Sequence, residues 1–199
     1  MKKILAVFIG LLSLSLVWVV FFWQPTPPAS SEVLSDTQDK LPVGGNFNLQ
    51  SAQGKISLTD YKGKVVLIYF GYTWCPDVCP TNLAMMAAAL GQLKETESNQ
   101  VQGLFISVDP ERDDSQRLAE YTAFFHESIK GATAKPEQIK ELAERYGSVY
   151  RKVIQDSATD YVVDHSSETY VVDGNGILVE RLPHAAPPEQ ILSSIRKYL

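Results

Sequence analysis

The strongest constraint on the fold of this chain is an apolar run that leads directly into its only two cysteines. Residues 65–70 read Val-Val-Leu-Ile-Tyr-Phe, the pattern of a strand buried on both faces of a parallel sheet. Apolar residues then recur at three- and four-residue spacing, as on one face of a helix: Leu83, Met86, Ala87, Leu90 and Leu93. Pro80 suits the first position of that helix. The sequence therefore predicts a strand, a loop and a helix, with both cysteines in the loop.

Cys75 and Cys79 form a Cys-x-x-x-Cys motif in this loop. In open α/β sheets ligands bind just outside the carboxyl ends of the strands, and a helix N-terminus lowers the pKa of a nearby thiol. A structural disulfide is the alternative, but closing so short a loop removes little chain entropy. Since thiolates bind soft metals or attack disulfides, we expect a metal site or a redox site here.

Composition limits the other possibilities. With 199 residues, of which 45% are hydrophobic, the chain can bury one sizeable core. A formal net charge of −5 argues against nucleic-acid binding through a basic face. Two cysteines are too few for a disulfide-rich scaffold, so they indicate a site.

The N-terminus predicts a membrane anchor. Lys2 and Lys3 precede residues 4–23, a stretch without charge that is long enough to span a bilayer. A cleaved signal peptide would have a shorter apolar region and a small-residue cleavage site, which is missing here. We therefore expect an uncleaved transmembrane helix in residues 1–23, with the N-terminus cytoplasmic and the domain on the other side.

A polar linker and one α/β domain are predicted after the anchor. Residues 24–40 contain several prolines, serines and acidic residues and almost nothing to bury. We expect a globular domain over residues 41–199. Its predicted elements are a leading hairpin (47–58), a strand (101–108) completing a right-handed βαβ unit, helices (115–125, 136–146), a hairpin (169–172 and 177–179) and a closing helix from Pro187 or Pro188.

A third ligand would decide between metal and redox chemistry, and the chain offers three histidines. His126 follows a predicted helix and His184 lies in a loop, so both are expected at the surface. His165 lies at the start of a predicted central strand. From periodicity alone, the better interpretation of His165 is a buried histidine that donates to a backbone carbonyl.

Three motifs change that interpretation. They are Gly-Tyr-Thr-Trp-Cys-Pro-Asp-Val-Cys-Pro (71–80), Ile-Ser-Val-Asp-Pro-Glu-Arg-Asp (106–113) and Val-Asp-His-Ser (163–166). In this order they resemble the Sco (SenC-like) family of membrane-anchored, copper-binding proteins that assist assembly of cytochrome c oxidase. The likeness covers residues 41–199 and the anchor. It implies a thioredoxin-like α/β fold, with a central mixed sheet flanked by helices and a leading β-hairpin.

The resemblance also implies the ligands and the partner. Carried over residue by residue, the copper ligands are Cys75, Cys79 and His165. Thiolates select Cu(I), imidazole accepts either oxidation state, and three ligands leave a position open for transfer. The implied function is a copper metallochaperone on the outer face of a bacterial inner membrane. Its partner would be cytochrome c oxidase subunit II, at the binuclear copper centre, or another copper-receiving protein.

Two enzyme classes remain as alternatives. A thiol-disulfide oxidoreductase would use Cys75 and Cys79 as its redox pair and keep the cysteines of the target reduced. However, thioredoxin-type enzymes use Cys-x-x-Cys, and they carry a proline where this chain has Asp164-His165. A peroxiredoxin-type peroxidase would resemble Pro-x-x-x-Thr/Ser-x-x-Cys, and residues 64–75 lack that proline. A copper or redox sensor is compatible with the same residues.

Four further residues have predicted roles. Asp164 is expected to orient or support His165, and Asp109 either to lie at the same rim or to begin a turn. Met86 is expected in the core, since it lies on the apolar face of its helix. Trp74 is expected to form a hydrophobic lip for a partner or for shielding the metal.

Overall fold

The computed structural model describes residues 41–157 and 160–199. The predicted anchor (1–23) and linker (24–40) lie outside the described residues. Within the described part of the chain, no helix has the length and apolar character needed to cross a membrane.

A five-stranded mixed sheet forms the centre of the domain. Its parallel strands are β3 (Val65–Gly71), β4 (Val101–Ser107) and β5 (Ile129–Ala132). On the other side of β3, β8 (Thr169–Val172) and β9 (Leu178–Leu182) run antiparallel to their neighbours, so the strand order is β5-β4-β3-β8-β9. All residues of β3 and β4 are buried, because helices cover both faces of the sheet.

The α-helices of the described residues are α1 (Val78–Leu90), α2 (Glu95–Ser98), α3 (Ser115–Ala123), α4 (Pro136–Tyr146) and α5 (Pro188–Tyr198). Tyr146 of α4 packs on Phe70, whereas Tyr121 of α3 packs on Phe105, so these two helices lie on opposite faces of the sheet. The predicted central mixed sheet flanked by helices is confirmed.

Several helix ends follow from local sequence chemistry. The helix α1 begins at Val78, which makes Pro80 its third residue and not its first. This costs no hydrogen bond, because the first N–H groups of a helix have no partner within it. Gly147 ends α4 with φ of +69°, a left-handed conformation that glycine adopts without strain.

Two hairpins lie beside the central sheet. The predicted leading hairpin consists of β1 (Asn48–Ser51) and β2 (Gly54–Ser57). The second, formed by β6 (Tyr150–Ser157) and β7 (Asp160–His165), was not predicted. His165 was expected at the start of a central strand, and this was wrong. It is the last residue of β7, in a separate two-stranded sheet, just before the loop that leads into β8.

Candidate metal centre

The two cysteines lie where β3 ends and α1 begins. Cys79 is in the first turn of α1 and fully buried, while Cys75, in the preceding loop, is half-buried. Gly71 provides the space for the buried sulfur. A Cβ atom at this position would lie 2.6 Å from Cys79 Sγ and 2.8 Å from the Phe105 ring. The end of β3 therefore needs glycine so that Cys79 can pack against the sheet.

The buried carboxylate of Asp113 holds the loop that carries Cys75. It accepts hydrogen bonds from the Thr73 backbone N–H at 2.9 Å, the Thr73 hydroxyl at 2.5 Å and the Ser107 hydroxyl at 2.6 Å. Because Ser107 ends β4, Asp113 ties the cysteine loop to the neighbouring strand of the sheet. This role of Asp113 could not be predicted from the sequence, because nothing local in the chain links it to Thr73, 40 residues away.

His165 approaches the cysteines from the β6–β7 hairpin. Its Nε2 lies 3.3 Å from Cys79 Sγ, and its Nδ1 lies 2.8 Å from the carbonyl oxygen of Ser166. A carbonyl oxygen only accepts, so Nδ1 carries the proton and Nε2 keeps a lone pair that faces the sulfur. The ligand atoms of Cys75, Cys79 and His165 all lie within 4.8 Å of one another. The structure thus brings together all three sequence-predicted ligands.

Comparison with known proteins identifies the family of this chain. The SCO1/SenC family model matches residues 35–199. The chain belongs to the SCO1/SenC family. The mitochondrial SCO2 homolog of Bos taurus is 37% identical over 157 residues, which are 78% of this chain and 59% of the relative. The matched segment thus spans less than two thirds of that protein.

Two solved Sco structures share the fold. ScoI of Bradyrhizobium japonicum, solved with copper bound, is 34% identical, with a TM-score of 0.72 over 79% of this chain and 99% of that one. BsSco, a cytochrome c oxidase assembly protein with a disulfide switch, is 25% identical, with a TM-score of 0.62 over 79% of this chain and 94% of that one. This Sco-family chain therefore has the thioredoxin-like fold of its relatives.

The two thiols of this Sco-family site are electrostatically unequal. A hydrogen bond from the Cys79 thiol, together with the one that the Cys79 backbone N–H donates at 3.4 Å, holds the pKa of Cys75 far below its usual range. Burial, and then the adjacent Cys75 thiolate, raises the pKa of Cys79. These opposite shifts favour a thiolate at the more accessible Cys75 and a thiol at the buried Cys79.

The structure does not support the predicted role of Asp164. Its carboxylate is exposed and accepts hydrogen bonds from Arg151 at 3.0 Å, away from the His165 ring. Adjacent residues of a strand point to opposite faces, so Asp164 and His165 cannot both face the cluster. The carbonyl of Ser166 orients the imidazole instead.

Asp109 does not lie at the rim of the cluster either. Its side chain is fully buried and accepts hydrogen bonds from Arg112 Nε and, at 2.8 Å, from the Tyr161 hydroxyl. The Arg112 guanidinium lies 3.6 Å from the centre of the Tyr161 ring and donates to the Tyr161 carbonyl at 3.0 Å. We call Asp109, Arg112 and Tyr161 the Asp109 clamp. It fixes β7 to the end of β4, four residues before His165.

One sequence pattern indicates that Tyr161 of the Asp109 clamp faces inward. Tyr161, Val163 and His165 alternate along β7, and Tyr161 and Val163 are both buried, so these three residues share the inward face of the strand. Tyr72 also holds His165 in place, because its ring meets the His165 ring edge to face at a centroid distance of 5.8 Å.

The remaining predicted residues lie outside the cluster. The Nδ1 atom of His126 accepts a hydrogen bond from the Ser128 backbone at 3.1 Å, and His184 is exposed in its loop. Met86 is fully buried in the core, as predicted. Trp74 has a relative exposure of 56% and lies next to Cys75, the position expected of a hydrophobic lip.

Proposed function

We propose that the domain binds a single copper ion through Cys75, Cys79 and His165 and acts as a copper metallochaperone. The observation that carries this proposal is the convergence of two sulfurs and one imidazole nitrogen within 4.8 Å. The His165 proton already lies on the nitrogen that faces Ser166, so the ligand nitrogen needs no rearrangement.

The donor set favours copper over zinc. Two thiolates and an imidazole suit Cu(I), whereas a structural zinc site usually has four protein ligands. Among the described residues, the cluster contains three donors. Cys75 and His165 are only partly buried, so an incoming ligand from a partner can approach the metal on their side. A cargo site needs this access, because the ion has to leave again.

We further propose that the chain assists assembly of the binuclear copper centre in subunit II of cytochrome c oxidase. Membership in the SCO1/SenC family supports this, since BsSco is a cytochrome c oxidase assembly protein. Residues 1–23 would anchor the chain in a bacterial inner membrane with the N-terminus cytoplasmic, and residues 24–40 would tether the copper domain on the outer face.

Copper titration of the reduced, full-length chain tests the ligand set. We expect one copper per chain for the wild type and a sharp loss of affinity for Cys75→Ser, Cys79→Ser and His165→Ala. The matched control is His184→Ala, an exposed histidine outside the cluster, which should bind like the wild type. Copper binding that survives His165→Ala unchanged would contradict the three-ligand site.

Deletion of the protein tests the proposed target. Under copper limitation, the deletion strain should lose copper loading of cytochrome c oxidase, and wild-type protein should restore it. Normal loading in the deletion strain would contradict this part of the proposal while leaving the copper site intact.

A second candidate function is reduction of the target's disulfide, and the unequal thiols favour it. The Cys75 thiolate would attack that disulfide and expel one target thiolate, and Cys79 would then attack Cys75 Sγ, releasing the other and leaving a Cys75–Cys79 disulfide. Exchange does not need His165. If His165→Ala keeps its biological activity although it no longer binds copper, the protein acts mainly as a reductase.

A further inference from the structure

A buried tyrosine lies directly beneath the three-ligand cluster. Tyr69 is fully buried on β3, two residues before Gly71, and therefore on the face of the sheet against which Cys79 packs. Its ring meets the His165 ring edge to face at a centroid distance of 6.1 Å. Tyr69 thus lies between the sheet and two of the three ligands.

The hydroxyl of Tyr69 has no hydrogen-bond partner among the residues that the structure describes. Tyr69 and Gly71 share the face of β3 on which the Cys79 sulfur packs. After the larger effect of burial, the nearby sulfur raises the pKa of Tyr69, yet the two groups do not meet the distance and angle of a hydrogen bond. A buried donor without an acceptor destabilises a fold, so its presence beside a functional group requires an explanation.

A second buried phenol is in the same state. Tyr121, on α3, packs its ring on Phe105 at a centroid distance of 5.4 Å. Its hydroxyl is also buried and, within residues 41–157 and 160–199, makes no hydrogen bond. Burial first, and then Cys79 and Cys75, raise the pKa of Tyr121. The cysteine sulfurs therefore raise the pKa of both phenols.

Metal binding would make the Cys79 sulfur a better hydrogen-bond acceptor. A neutral thiol is a weak acceptor, whereas a sulfur that ligates a metal is a thiolate and accepts hydrogen bonds well. Hydrogen bonds to a copper-ligating sulfur tune the redox potential of the ion, and groups that support ligands in this way typically change metal affinity about 10- to 100-fold.

We propose that Tyr69 is a positioning residue of the copper site, whose hydroxyl donates a hydrogen bond to Cys79 Sγ when that sulfur ligates the metal. The inference rests on the proposed function, since it requires copper at Cys79. A donor to the sulfur withdraws charge from the copper–thiolate bond, so Tyr69 stabilises Cu(I) relative to Cu(II).

The test compares Tyr69→Phe with the wild type, using the full-length chain without metal and with copper. Without metal, the variant should melt at the wild-type temperature or higher, because it loses only an unsatisfied donor. With copper, its Cu(I) affinity should fall about 10- to 100-fold. Its Cu(II)/Cu(I) potential should also fall, and its thiolate-to-Cu(II) charge-transfer band should move to lower energy.

Tyr146→Phe is the matched control. Tyr146 is a buried tyrosine whose hydroxyl donates to the Gly45 carbonyl at 2.9 Å, outside the copper cluster. This control should melt at a lower temperature without metal, while its copper affinity, potential and spectrum stay at the wild-type values.

The outcomes separate the inference from the proposed function. Wild-type copper affinity, potential and spectrum in Tyr69→Phe would overturn the role of Tyr69 while leaving the copper site standing. A metal-free Tyr69→Phe variant that melts lower or fails to fold would also overturn it, since its hydroxyl would then stabilise the fold itself. A wild-type chain that binds no copper would overturn both proposals.

Discussion

Replacing Asp109 by asparagine would test whether the Asp109 clamp stabilises the domain. Asparagine keeps the shape of the side chain but removes the charge that faces Arg112 and one of the two acceptor oxygens. Breaking a buried ion pair costs about 3–5 kcal/mol. Since the Arg112 side chain is 20% exposed and keeps some contact with water, we expect the lower end, about 3 kcal/mol.

Urea denaturation of the full-length chain, followed by tryptophan fluorescence, measures this loss. With a slope of about 2 kcal/mol per molar urea, a loss of about 3 kcal/mol lowers the midpoint by about 1.5 M. Asp164→Asn is the matched control. Its ion pair with Arg151 is exposed on both sides, so the same substitution should cost less than about 0.5 kcal/mol.

The clamp also predicts an effect on copper. Tyr161 and His165 lie on the same strand, so losing the clamp should loosen the third ligand and lower copper affinity, whereas Asp164→Asn should not. If Asp109→Asn costs no more stability than Asp164→Asn, the desolvation of the buried charges cancels their attraction, and the reasoning is refuted.

Two further predictions concern the cysteine loop. Because its pKa is lowered, Cys75 should react with iodoacetamide at nearly the same rate at pH 6 and pH 8 in the folded, metal-free chain. In urea, where the pKa returns to about 8.5, the rate should rise nearly two orders of magnitude over that interval, and an equal rise in the folded chain would contradict the assignment. The stability that this thiolate contributes should be complete above the unfolded pKa of about 8.5 and should decline progressively as the pH falls from there to the lowered folded pKa. Gly71→Ala should cost about 1–3 kcal/mol in urea denaturation, since its Cβ would clash with Cys79 and Phe105, and it should weaken copper binding. The control Gly91→Ala, whose Cβ would meet its nearest atom at 3.4 Å, should leave copper binding unchanged, and equal effects of both substitutions would argue against the clash.

Local patterns were enough to predict the cysteine loop. The apolar run of β3, the helical spacing after it and the second apolar strand at 101–107 fix a βαβ unit, whose loop must lie at the carboxyl end of the sheet. Here the hydrophobic pattern is enough to predict the fold, because both faces of these strands are buried. The resemblance to the Sco family, and not periodicity, selected His165 from the three histidines.

The position of His165 in the fold could not be predicted from local patterns. The β6–β7 hairpin is only partly buried, so β6 has no hydrophobic periodicity that distinguishes it from a loop. The roles of Asp109 and Tyr69 depend on contacts between distant segments. Asp109 and Tyr161, for example, are 52 residues apart in the chain, and no local pattern connects them.

The cysteines lie around the start of α1 and His165 lies in the β6–β7 hairpin, and this separation determines which ligands depend on folding. Cys75 and Cys79 are four residues apart, so the chain itself keeps them close, even when it is unfolded. His165 is 86 residues beyond Cys79 and comes near the sulfurs only when β7 docks on the domain. Copper held by the cysteines alone would stabilise folded and unfolded chains almost equally, because a ligand favours the state that it binds better. His165 is thus the ligand through which copper distinguishes a folded chain from an unfolded one.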